Sequence, residues 1–103
     1  MLMSQHNAWI HAAATFVVVA FGLVAGLSRP EWCWIAVAIA AVWTAEALNT
    51  AIEFLTDIVA PTHHPAAEKA KDVAAGGVLI AAAGAVVIGI LVFWPHFLDL
   101  VAP

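Results

Sequence analysis

Glu46, Asn49, Glu53 and Asp57 lie in the stretch AEALNTAIEFLTD, three carboxylates and an amide in otherwise oily sequence. At about 100° per residue, offsets of three, seven and eleven return close to the starting direction, so a helix here presents all four from one side. Burying an ionisable group in lipid costs at least ~2.5 kcal/mol on the most lenient scale, and such residues mark a surface facing protein or water. Glu68-Lys69-Ala70-Lys71-Asp72 follows, with cations among further carboxylates. Carboxylates hold Mg²⁺, lysines meet phosphate oxygens, and a deeper carboxylate takes a hydroxyl proton, a set that suits phosphoryl transfer to a lipid alcohol. Nothing resembles a Walker P-loop: Gly76-Gly77 has neither the spacing nor a following Lys-Ser/Thr.

The elements that must position these residues are membrane helices. With 65% hydrophobic and 10% charged residues, the chain reads as an integral membrane protein. No Asp, Glu, Lys or Arg precedes Arg29, and none lies between Asp72 and Asp99. Each gap is long enough to cross a bilayer. A further span runs from Glu31 to about Val59, roughly 43 Å as a helix against a hydrocarbon core of about 30 Å, so its polar end emerges near one interface. The fold class is therefore all-α, three transmembrane helices at about 8–27, 31–59 and 66–94, in one domain over 1–103. Pro30, Pro61 and Pro95 are read as the stops. Pro65 suits the first turn of the third helix, and Trp32, Trp34 and Trp94 sit at headgroup level. The first apolar run lacks the basic n-region of a signal peptide. Cys33 is alone, so no intrachain disulfide forms. A net charge of −4 offers no basic patch for nucleic acid.

Short loops make the helices alternate in direction. Lys69 and Lys71 follow the second loop and only Arg29 marks the first, so the positive-inside rule puts the N-terminus and the His63-to-Lys71 region in the cytoplasm. The third helix is rich in Gly and Ala, which lets backbones approach closely in lipid. Homo-oligomerisation would surround the carboxylates and place sites between subunits.

The order Glu46-Ala-Leu-Asn49-Thr50-Ala51-Ile52-Glu53, then Asp57, His64 and Ala70-Lys71-Asp72-Val-Ala-Ala-Gly-Gly-Val78, resembles the prokaryotic diacylglycerol kinase and undecaprenol kinase family. The resemblance covers most of residues 5 to 94 in long, gapless, correctly ordered motifs. It implies a small homotrimeric lipid kinase of the bacterial inner membrane, with active sites shared between subunits on the cytoplasmic side. It also implies ATP as co-substrate, Mg²⁺ as cofactor, and diacylglycerol or undecaprenol as acceptor. Glu46 matches the family's catalytic base, Asn49 the residue that supports base and nucleotide geometry, and Glu53 a carboxylate that binds Mg²⁺-ATP. Lys71 matches the lysine on the nucleotide phosphates, with Asp72 beside it, while Asp57 and His64 match polar positions nearby. Glu31-Trp32 and the Asn-x-x-Ile-His pattern look more like the undecaprenol branch.

Two departures stand out. Where the family has an acidic residue, a basic residue, Asn and a stretch ending in Ile-His, this chain reads Gln5-His6-Asn7-Ala8-Trp9-Ile10-His11. Gln5 replaces the second metal-binding carboxylate, and a neutral amide binds Mg²⁺ less well. The amphipathic surface helix that family members carry before this point is also missing from the reading. These departures define the alternative, a catalytically impaired or non-catalytic homologue. Two other readings compete. Glu46 and Glu53 as polar glue between helices would need no lysines, and an ion conduit lined by them leaves Lys71-Asp72 without a role. Adjacent His63 and His64 supply too few ligands for a structural zinc site.

Overall fold

The computed structural model describes residues 2–102, with side chains described from residue 8 onward. It consists of three helices, α1 (Leu2–Ala25), α2 (Arg29–Val59) and α3 (Pro65–Val101), with no strand among the described residues. All three are long and apolar enough to cross a membrane. At 1.5 Å per residue α2 reaches about 46 Å and α3 about 55 Å, which gives a slender body of 61 × 21 × 18 Å. The central helix is α2, packed along much of α3 and over a shorter stretch of α1.

Local chemistry explains where the observed ends differ from those expected. The first helix stops at Ala25, short of Leu27, because Gly26 takes a left-handed φ of 70°. The N–H groups of Gly26 and Leu27 then both donate to the Gly22 carbonyl, at 3.0 and 3.3 Å, the longer-range bond being that of a Schellman cap. The second helix starts at Arg29, two residues early, because Ser28 caps it. Ser28 Oγ accepts from the Glu31 N–H and Glu31 Oε1 accepts from the Ser28 N–H, a closed capping box with Pro30 in the first turn.

The third helix runs on through Pro95 to Val101, where a stop was expected. Proline removes one N–H and ordinarily breaks a helix, yet membrane helices tolerate it where the freed carbonyl is satisfied otherwise. The continuation brings His96 against the start of α2, its Nε2 lying 2.9 Å from Glu31 Oε2. One Glu31 carboxylate thus holds both the cap of α2 and the far end of α3.

Packing is polarised along the bundle. Leu27, Ile35 and Val92 form an apolar core at the first-loop end, flanked by Val18, Trp32 and Phe93. Large side chains such as Phe16, Ile80 and Leu91 point outward, as expected where the surroundings are lipid or another subunit.

Gly22 is where α1 meets the Trp32 indole. A Cβ there would lie 2.6 Å from Trp32 Cη2 and 3.0 Å from Leu27 Cδ1. Gly22→Ala gains up to about 1 kcal/mol of helix propensity, but overpacking against a rigid ring costs about 1–3 kcal/mol. The clash prevails. The variant should melt several degrees below the parent in detergent, followed by circular dichroism, and an unchanged midpoint would show that the ring moves aside freely.

Candidate active site

The polar face of α2 is read out in order of depth. Glu46 and Asn49 are 3% and 4% exposed, two of the four buried residues of α2. Glu53 is half-buried one turn beyond, and Asp57 is exposed. Eleven residues separate Glu46 from Asp57, about 16 Å along the axis. A buried carboxylate is thereby connected to the surface by a line of polar groups.

Glu46 meets α1. His11 Nε2 lies 3.3 Å from Glu46 Oε2, but the approach is not aligned as a hydrogen bond, and both Glu46 oxygens are buried without a hydrogen-bond donor. His11 is itself held by its neighbours. Its ring meets the edge of the Trp43 indole at 6.2 Å between centroids. Trp43 Nε1 donates to Thr15 Oγ1 at 3.0 Å, and the Thr15 hydroxyl donates back to the His11 carbonyl at 2.7 Å.

Asn49 extends the line toward water. Its Nδ2 donates to Glu53 Oε1 at 3.0 Å, the i, i+4 spacing of one helix face. Its Oδ1 is buried and has no partner. Asn49 also borders a cavity of about 760 Å³ between α2 and α3, whose walls are apolar or small apart from Asn49 and Lys69. An apolar cavity with two polar residues suits a lipid whose polar end must be oriented.

At the surface end, Lys71 Nζ lies 3.0 Å from Asp57 Oδ1, with both side chains about half exposed. Such a pair contributes at most about 1 kcal/mol, so Lys71 can exchange it for a phosphate at little cost. Asp72 is exposed next to it. His64 is the N-cap of α3, its Nδ1 accepting from the Ala66 N–H at 3.2 Å. His63 in the exposed loop pairs with Glu68 in the first turn of α3 at 3.1 Å. Gln5 falls within α1, but its side chain lies outside the described residues.

The structure therefore joins Asn49 to Glu53 and Asp57 to Lys71, leaves Asp72 in the open, and engages His64 in a cap. It also brings in His11, to which the sequence reading gave no role. The signal was present: His11 is the only ionisable residue between Ala8 and Ala25.

As for a divalent cation, no group of three His, Cys, Asp or Glu side chains is assembled among the described residues. Mg²⁺ is usually held by one or two carboxylates, with water and substrate phosphates completing the octahedron. The oxygen-only donors at the surface side of this face, led by Glu53, fit that habit.

A family model described as prokaryotic diacylglycerol kinase matches residues 1–93. The undecaprenol kinase of Bacillus subtilis (strain 168) is 41% identical over 92 residues, covering 89% of this chain and 75% of that protein. The diacylglycerol kinase of Synechocystis sp. (strain ATCC 27184 / PCC 6803 / Kazusa) is 42% identical over 103 residues, covering 94% of this chain and 56% of that protein. The chain thus spans three quarters of one relative and little more than half of the other. No solved structure matches it.

Proposed function

Because the chain belongs to the prokaryotic diacylglycerol kinase family of lipid kinases, we propose that it transfers the γ-phosphoryl group of Mg²⁺-ATP to the hydroxyl of a membrane lipid alcohol, with Glu46 as the general base. The observation that carries this reading is the Glu46 carboxylate, buried with both oxygens lacking a hydrogen-bond donor. A carboxylate in that state has both oxygens available to accept a hydroxyl proton brought within reach.

In this mechanism the lipid hydroxyl approaches from the cavity between α2 and α3, with Asn49 at its border. As its proton passes to Glu46, the oxygen forms a bond to the γ-phosphorus, the bond from that phosphorus to the β-phosphate oxygen breaks, and ADP leaves with the electron pair. Lys71 turns from Asp57 to the nucleotide phosphates. Glu53, oriented by Asn49, would hold Mg²⁺ with Gln5, and Asp57, Asp72 and His64 flank the nucleotide. When bound, Mg²⁺ offsets the negative charge of the phosphates.

The acceptor is diacylglycerol or undecaprenol, the alcohols in the names of the two relatives. The working unit is a homotrimer in the cytoplasmic membrane, its N-terminus and active site on the cytoplasmic side. The outward apolar surface supports a helix-packed oligomer. Purified protein given radiolabelled ATP and each lipid in turn should yield one labelled lipid phosphate on chromatography. No labelled lipid from either would overturn the reading.

Gln5 tests the metal assignment. Gln5→Glu supplies a charged oxygen where the resemblance expects one, so half-maximal activity should need about fivefold less Mg²⁺, the equivalent of about 1 kcal/mol. An unchanged Mg²⁺ titration would remove Gln5 from the metal site.

A further inference from the structure

We propose that His11 relays the hydroxyl proton out of the buried base Glu46. The inference rests on the kinase reading above and concerns a step it leaves open. Each turnover delivers one proton to Glu46, whose 3% exposure gives it almost no contact with solvent. A base that cannot shed its proton works once.

His11 is placed to take it. Its Nε2 is 3.3 Å from Glu46 Oε2, and catalytic contacts are often long or poorly aligned before substrate binds. His11 borders two cavities that Glu46 does not, about 270 Å³ between α1 and α3 and about 100 Å³ deeper in the bundle. The first has room for water and a second polar residue on its wall, Asn49, whose Oδ1 has no partner to compete with it. The Trp43 indole packs edge-to-face with the His11 ring, and Thr15, which accepts from Trp43, bonds the His11 carbonyl.

Other titratable groups near this contact are few. The stretch of α3 from Val73 to Trp94 has none. On α2, Glu53 lies two turns from Glu46 and bonds Asn49. On the described part of α1, His11 stands alone. The imidazole, with its proton on Nδ1, accepts at Nε2 the proton that the lipid hydroxyl gave to Glu46. Glu46 returns to carboxylate, the Nδ1 proton leaves to water, and proton exchange with water returns the imidazole from its Nε2-protonated form to the Nδ1-protonated one for the next turnover. No oxidant or further reactant enters.

His11→Gln keeps size and hydrogen bonding but cannot carry a proton. His11→Ala opens space for an added base. Both should lower kcat for lipid phosphorylation at least about tenfold, with the KM for ATP unchanged and the parental elution volume in detergent. Added imidazoles should restore His11→Ala, more strongly as their basicity rises, and leave His11→Gln unrestored. A purely structural histidine would show no dependence on the basicity of the added imidazole. Parental kcat in His11→Gln, or a His11→Ala rate indifferent to imidazole, would overturn the relay while leaving the kinase reading intact. A parent protein inactive on both lipids would overturn both.

Discussion

Replacing Glu46 by Gln should lower the turnover of lipid phosphorylation by about 10²–10⁴-fold, the range a positioned general base supplies. The amide has the same shape but cannot take a hydroxyl proton. Glu46 lies near neither Lys71 nor Asp57, the groups at the surface end, so the KM for ATP should stay close to the parental value. That pattern separates a missing base from a collapsed site. Burial argues in the same direction. Gln is neutral and removes a desolvated carboxylate, so the variant should be at least as stable as the parent. A folded Glu46→Gln protein with parental turnover would end the assignment of Glu46 as base.

Lys71→Ala and Glu53→Gln should fail in the opposite coordinate. A hydrogen bond to a charged group contributes about 1.5–3 kcal/mol, so loss of Lys71 should weaken the binding of a non-hydrolysable ATP analogue about 10–100-fold in calorimetry. The native partner of Lys71 is an exposed Asp57 carboxylate, and losing that pair costs folding stability little. Glu53→Gln keeps a group that can still meet Asn49 but lowers the charge available to Mg²⁺, so its defect should shrink as Mg²⁺ rises, whereas that of Lys71→Ala should not. Parental affinity in both variants would detach the surface end of α2 from the nucleotide.

How much of this was legible in the chain varied with the distance over which each relation acts. The alignment of Glu46, Asn49, Glu53 and Asp57 follows from helix periodicity alone, and the Asn49–Glu53 bond is its i, i+4 product. Three spans could be read from gaps in charge. The Asp57–Lys71 pair crosses only the second loop, and the sequence placed both at one interface without pairing them. His11–Glu46 was out of reach, because it depends on how α1 slides along α2, and an apolar α1 contains nothing that fixes a register in advance. Gly26 and the Ser28-to-Glu31 box are cap signals in the sequence, yet the expected helices run through Gly26 to Leu27 and begin only at Glu31. Pro95 was read as a stop by a rule drawn from helices in water, whereas α3 continues to the His96 contact with Glu31.

The concentration of the apolar core, the capping box and the Glu31–His96 contact at the first-loop end has a consequence for access. Proteins open in parts, and the parts that open most readily are those with the fewest packed contacts. Here the firm end is a clamp, and the 760 Å³ cavity bordered by Asn49 and Lys69 lies toward the other end. At the other end the second loop still ties α2 to α3, so a bulky lipid can widen the space between them while both ends stay joined, admission costs a local opening rather than separation of the bundle, and the polar line on α2 returns to register when the helices close.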